Sequence, residues 1–396
     1  MTELPSARAS ARGLARWSRG HPWIFRSDVQ RLPEAPGICR VLDQRGKCHG
    51  VALCSPRSEI QLRLLDRRDT VPDASWWQDR LATCVARRAG IDATAWRLVH
   101  GEGDGLPSLV VDRYDRWFVV QLLSAGLETQ RELVLDALVN VCRPEGILLR
   151  NDVAVRRREK LSEEVQLARG AVPETVEVRE GAIRYLAAPW TGQKTGAFLD
   201  QRPNRMRSGQ LVRPGGTALD CFAYHGSFAL HLAASAGHVT AIDSSADALA
   251  RARENARLNG FDNIDWVEGD VFETLREWER ERRRFDMIVV DPPAFAKNRA
   301  SIPQALRGYK EVNLRAMRLL ATGGTLDRPN CARAVASVFF ASPVANVVAR
   351  FETWFGEVGD FVLFKASRGS RFAGEVVHRD LRLVVGDVEG APEVHA

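Results

Sequence analysis

At 396 residues, with 45% hydrophobic content and ten tryptophans, the chain is too long for one ordinary domain, so two or three are expected. A net charge of +6 suits an anionic partner without requiring one. Seven scattered cysteines (39, 48, 54, 84, 142, 221, 331) with no Cys-x-x-Cys pair exclude a disulfide framework and a zinc site, which points to a reducing cytoplasm and no metal. No apolar run approaches the ~18 residues of a membrane span, and no signal peptide is apparent.

Residues 1–70 open with Arg8, Arg12, Arg16, Arg19 and Arg26 among Trp17, Trp23 and Phe25. Strand-like runs follow at 37–42, 51–53 and 59–65, which predicts a small β-rich module. Arginines set among aromatics can hold phosphates while rings stack on bases, and a solvated basic tail is the alternative.

Residues 71–185 predict an α+β module. A helix is expected over Trp76–Ala89, and the runs at 109–112 and 117–123 read as a hairpin. Leu133, Val134, Ala137, Leu138 and Val141 mark one helix face, and Gly146–Arg150 gives a further strand. Gly101–Gly105 lacks a following Lys-Ser/Thr and is a connector, not a phosphate loop. Arg156–Arg158 either faces nucleic acid or is solvated surface.

Residues 186–396 carry the chemistry. Gly192–Gly196 lacks the glycine that a nucleotide loop needs five positions before the lysine. The polar cluster Ala197–Arg205 then precedes alternating strand and helix patterns from Thr217 to Pro293, the signature of βαβ units on a parallel sheet. Four of the strands end at or beside an acid: Asp220, Asp243, Asp270 and Asp291. The first loop has one glycine, Gly226, instead of a Gly-x-Gly-x-x-Gly run. A dinucleotide needs those glycines to bring its pyrophosphate against the helix N-terminus. An acid there repels phosphate and attracts a cation, and S-adenosylmethionine is a cation without phosphate. Asp243, 23 residues after Asp220, has the spacing that grips ribose hydroxyls. Ser244 to Asp247 fits a capping box for the next helix. Asp270 is placed to accept from an adenine amino group. Asp291-Pro-Pro293 holds a carboxylate on a stiff loop.

Several stretches together resemble the ribosomal large-subunit RNA methyltransferase I family: Arg19–Phe25, Leu98–Val111, Gly192–Arg205, Asp220–Phe228, Val239–Gly260, Asp291–Lys297 and Ala305–Arg315. The likeness covers residues 10 to about 326, and departs from the family at His225 and Ser227. It implies an α/β fold: a Rossmann-like class I methyltransferase domain (186–396), preceded by a small β-rich PUA domain (1–70) and an α+β central domain (71–185). It implies S-adenosylmethionine as cofactor and large-subunit ribosomal RNA as partner, with a homodimer left open. The cofactor set it implies is Asp220, Phe222, Ala223, Tyr224, Gly226, Asp243, Ser244, Asp270 and Asp291, with Phe198, Gln201 and Arg202 ahead of the sheet.

The family makes 5-methylcytosine. A cysteine thiolate adds to carbon 6 so that carbon 5 becomes nucleophilic enough to take a methyl group. A base then removes the carbon 5 proton and the thiolate leaves. The resemblance gives Asp291 a contact with the cytosine ring nitrogen. Counted without a gap from Gly323, Cys331 falls at the nucleophile's place, but Asp327–Ala332 does not match the family's Ser-Cys-Ser. Asp327 and Pro329 are poor central-strand residues. Either this branch diverged or the reading frame changes near residue 326. Beyond it, Phe361–Phe364 and Leu381–Val385 read as strands. Two rival functions follow: methylation of an exocyclic amine, which needs an aromatic directly after the two prolines, and RNA binding without catalysis.

Overall fold

A computed structural model describes residues 4–296, 301–328, 362–365, 374–378 and 381–385. By its contacts the chain divides into two compact units, Met1–Glu180 with Leu186–Leu199, and Gly181–Tyr185 with Asp200–Ala396.

Two of the described sheets lie wholly within the first unit. One has six strands, Ser6–Ala9, Trp23–Phe25, Val29–Arg31, Gly37–Leu42, Cys48–Cys54 and Ile60–Asp66. Alternate residues of these strands, with Trp17 and Ile24, close a small core. Two of the opening arginines are built into this module. Arg12 and Arg16 both pair with Asp28, which is buried, and so do not form a loose basic tail.

The other sheet has five strands, Ala95–His100, Leu109–Tyr114, Trp117–Leu122, Gly146–Arg150 and Val165–Gly170. Helices Ala74–Arg87 and Arg131–Cys142 supply residues to its core. The first begins two residues before its predicted start, because Asp73 accepts from the Trp76 amide at 2.9 Å and caps it. On the second, Leu133 is 37% exposed, and Leu135 joins Val134, Ala137 and Leu138 on the buried face. Arg156 is no surface cation. It is buried, with Nη1 donating to the Leu122 carbonyl at 2.5 Å and to Glu128 at 2.8 Å.

The two sheets of this unit are joined through Glu159. Its buried carboxylate takes Arg63 Nη2 at 2.7 Å, the Ser58 hydroxyl and the Ala125 amide at 3.2 Å. Removing one partner of a buried pair strands the other's charge, at a cost of roughly 3–5 kcal/mol. Glu159→Ala should therefore destabilise the first unit by about 3 kcal/mol or more, read as a lowered urea midpoint, whereas Arg157→Ala on the exposed neighbour should leave it unmoved.

The second unit is built on a six-stranded sheet. Helix α1 (Arg202–Leu211) leads to β1 (Thr217–Cys221), α2 (Ser227–Ala233), β2 (His238–Asp243), α3 (Ala246–Leu258) and β3 (Ile264–Glu268). Helix α4 (Val271–Arg280), β4 (Phe285–Val290), α5 (Ile302–Leu319), β5 (Leu320–Arg328) and β6 (Val362–Lys365) complete it. The sheet order is β3-β2-β1-β4-β5-β6, with all neighbours parallel except β5 and β6. Its core gathers Leu219, Ile242, Ile288 and Val290 from the strands against Leu275, Trp278, Val312 and Leu319 from the helices.

Two expectations for this region change. The α3 cap is Ser245, not Ser244: Ser245 Oγ accepts from the Ala248 amide at 3.2 Å. The helix starts one residue later because the Asp243 carboxylate already takes the Ser245 amide at 2.9 Å. Asp327, a poor residue for a central strand, nonetheless lies within β5, buried and receiving a hydrogen bond from Ser208 of α1. That partner offsets part of the cost of burying the carboxylate. The runs at 361–364 and 381–385 do contain strands, Val362–Lys365 and Leu381–Val385.

Candidate cofactor and active site

The chain runs outward from β1 through β2 to β3, then returns to place β4 on the other side of β1. Ligands of such sheets sit at the carboxyl ends of the strands beside this reversal. Asp220 lies near the end of β1, and Asp291 directly follows β4. Asp220 pairs in register with Val289, and Val289 with Asp327, so the two buried acids are level with one β4 residue between them.

Asp220 is 1% exposed. Its Oδ2 accepts from the Ala229 amide in the first turn of α2 at 2.9 Å, while Oδ1 is buried without a hydrogen-bond partner among the described residues. Burial pushes its carboxyl well above the ordinary range. The Ala229 hydrogen bond pulls it back, and the charges of Asp291, Asp243 and Asp327 push it further up. A buried carboxylate oxygen with nothing to bind, among three other acids, is a costly arrangement. It is the complement of a cation.

The loop from β1 to α2 is strained. Phe222 and Tyr224 take left-handed φ values of 66° and 51°, and Gly226 takes 83°. For non-glycine residues such conformations cost about 1 kcal/mol or more each and persist where the surroundings hold them. Here the surroundings are identifiable. The Ala223 amide donates to the Ile242 carbonyl at 2.9 Å, the Tyr224 amide to Asp243 Oδ2 at 2.8 Å, and Asn255 Nδ2 to the His225 carbonyl at 2.9 Å. Asp243 is thus a clamp on this loop as well as an acid at a strand tip. Asn255 of α3, fully buried, was not legible as part of the site, because its helical spacing reads as ordinary core.

The other candidates fall as follows. Gly226 begins α2, and a Cβ there would lie 2.6 Å from Trp266, so packing requires the glycine. Ala223 is buried and Ser244 is exposed. Asp270 is exposed and caps α4, accepting from the Glu273 amide at 3.0 Å. Gln201 and Arg202 open α1, and Gln201 Oε1 takes the Asn204 amide group at 2.6 Å. Phe198 belongs to the first unit, where Lys194 Nζ lies 4.6 Å from its ring centroid. Cys221 is buried, and burial raises its thiol well above the ordinary value, as suits a packing residue. Cys331 lies outside the described residues. Among those described, no group of three or more metal-binding side chains occurs, and no helix is long and apolar enough to cross a membrane.

The residues therefore fit S-adenosylmethionine. Asp220 would face its positive charge, with Asp243 and the strained loop beside it. Bound there, the cofactor would supply a methyl group carried on a sulfonium. The sheet order and the acid at the reversal agree with a methyltransferase of the S-adenosylmethionine-dependent kind. The family model for S-adenosylmethionine-dependent methyltransferases matches residues 97–350, and that for PUA-like domains matches residues 10–67.

The particular family follows from the curated relatives. Proteins named Ribosomal RNA large subunit methyltransferase I are 38% identical in Aeromonas hydrophila, over 83% of this chain and 86% of that protein. The protein of that name in Klebsiella pneumoniae is 36% identical over 83% and 85%, and in Photobacterium profundum 34% over 88% and 92%. The chain belongs to the ribosomal RNA large subunit methyltransferase I family. Among solved structures, SMU.776 in complex with SAH shares the fold, with a TM-score of 0.72 at 20% identity over 85% of this chain and 89% of that one.

Proposed function

We propose that this methyltransferase acts on large-subunit ribosomal RNA, at carbon 5 of a cytosine, through a cysteine-linked intermediate. The printed name of the curated relatives supports the RNA substrate. The net charge of +6 and the PUA-like module agree with an anionic partner. In this reading residues 1–70 hold RNA, 71–185 form a central module, and 186–396 carry the reaction. The cofactor contacts within the second unit are Asp220, Phe222, Ala223, Tyr224, Gly226, Asp243, Ser244, Asp270, Asp291, Gln201 and Arg202.

Cys331 adds through its thiolate to carbon 6, carbon 5 takes the methyl group, a base removes the carbon 5 proton, and the thiolate departs. Asp291 holds the ring nitrogen. The cytosine must be unpaired or flipped to be reached.

One observation carries the choice of carbon 5 over an exocyclic amine. Amine methylation needs a ring free to stack on the base, and Phe295 is engaged elsewhere. Its centroid lies 4.5 Å from that of Tyr309 and 5.7 Å from that of Phe272. The test is to transfer a labelled methyl group to large-subunit RNA from a strain lacking this gene, then digest to nucleosides. Label in 5-methylcytidine is expected. Label in N4-methylcytidine would give the amine reading instead, and RNA retention without transfer would leave a binding protein.

A further inference from the structure

Four aromatic side chains at the carboxyl end of the second unit's sheet form a continuous cluster, and neither the fold nor the acid row accounts for it. Phe222 comes from the loop after β1, Phe272 from the first turn of α4, Phe295 from the loop after β4 and Tyr309 from α5. Their ring centroids are 6.5 Å apart for Phe222 and Phe272, 6.3 Å for Phe222 and Phe295, 5.7 Å for Phe272 and Phe295, and 4.5 Å for Phe295 and Tyr309. All four are only half-buried: Phe222 and Phe272 pack against the sheet's core, and Phe295 and Tyr309 extend the cluster to its rim.

Tyr309 adds a polar anchor. Its hydroxyl accepts from the Phe295 amide at 3.2 Å and donates to the Pro293 carbonyl at 3.4 Å. Both partners lie in the loop that begins with Asp291. Two prolines stiffen that loop internally but remove two amide donors, so it has few backbone groups with which to fasten itself. A hydroxyl on α5 does the fastening. Gly308, the neighbouring helix residue, leaves room for it: a Cβ there would come within 3.2 Å of the Phe295 ring.

We propose that Tyr309 is a positioning residue for methyl transfer. It holds the Asp291 loop on the acceptor side, and through Phe295 it ties that loop to Phe222 and Phe272 on the cofactor side. The hydroxyl sets the position of the Asp291 carboxylate, and the ring links that position to the strained cofactor loop. The role of Asp291 toward the target base rests on the proposed function. The anchoring of the loop does not.

Tyr309→Phe keeps the ring and removes both hydrogen bonds, which separates the two contributions. Amide exchange of a peptide spanning residues 291–296 should speed up about tenfold in this variant, with the β1 and β2 peptides unchanged. Turnover on RNA should fall about tenfold, while the dissociation constant for S-adenosylmethionine, which draws on Asp220 and Asp243 besides Asp291, shifts by no more than about threefold. Tyr309→Leu, which also removes the ring, should weaken cofactor binding as well. Unchanged exchange at 291–296 overturns the proposal, and so does full turnover by Tyr309→Phe. Equal losses of turnover and cofactor affinity in that variant, with faster exchange throughout the sheet, would show a merely structural tyrosine and also overturn it. A parent protein that methylates no RNA would count against the proposed function, and the exchange measurement would still decide the anchoring.

Discussion

Asp220→Asn should abolish most of the affinity for S-adenosylmethionine while leaving the fold as stable as the parent, or more so. The asparagine has the same shape and keeps an oxygen for the Ala229 amide. It loses the charge at the oxygen that has no partner. Hydrogen bonds to charged groups contribute about 1.5–3 kcal/mol, and a buried cation loses more when its counter-charge goes. An affinity loss of about 100-fold, near 2.7 kcal/mol, is expected by calorimetric titration. Stability should move the other way, because a buried carboxylate ringed by Asp291, Asp243 and Asp327 disfavours the empty folded state. Equal binding by parent and variant would remove Asp220 from the cofactor site.

The same group predicts a pH dependence with a definite sign. Its folded carboxyl titrates well above the unfolded value, so the empty native state holds a proton that the unfolded chain has released. The contribution of Asp220 to stability is therefore fully present below the ordinary carboxylate range, near pH 4, and is lost as pH rises toward the raised folded value. Cofactor binding has the opposite slope, since the cation favours the ionised form. Melting temperature without cofactor should decline with pH more steeply in the parent than in Asp220→Asn, and added S-adenosylmethionine should flatten the parent's decline.

Gly226→Ala should cost about 3 kcal/mol or more. Two terms contribute. At φ 83° an L-residue pays about 1–2 kcal/mol in backbone strain. The added Cβ would lie 2.6 Å from Trp266 Cη2, 3.0 Å from Cζ3 and 3.1 Å from Ala252 Cβ, and overpacking of that kind costs about 1–3 kcal/mol. For a unit of this size the melting temperature should drop by roughly 6–12 °C. Pairing the change with Trp266→Leu removes the two indole contacts and leaves the strain and the Ala252 contact, so the double variant should recover part of the loss. No recovery would show that the indole is not what the missing side chain makes room for.

The contrast between these two residues explains what could be read in advance. Asp220 was legible because a strand pattern ending in an acid is a local signal, and because charge alone separates a cation site from a phosphate site. Gly226 was legible as a loop glycine, but its actual constraint is an indole 40 residues away in sequence. The same division runs through the site. Asp270 could be read as a strand-end acid, and the fold gives it a helix cap. The Ser244 cap moved to Ser245 because a carboxylate two residues upstream competes for the backbone. Arg156 looked like surface charge until the fold put Glu128 and the Leu122 carbonyl beside it.

Hydrophobic alternation, acids at strand ends and short-range turn chemistry were sufficient by themselves to point to an α/β sheet with a cationic-ligand site and a β-rich module before it. Each depends on neighbours within a few residues. Tertiary structure alone decided that one oxygen of Asp220 is buried without a hydrogen-bond partner among the described residues, which loop carries strain, and that Tyr309 fastens the Asp291 loop. Those properties arise from groups brought together across the chain, where desolvation and packing are set by residues that no local pattern identifies as neighbours.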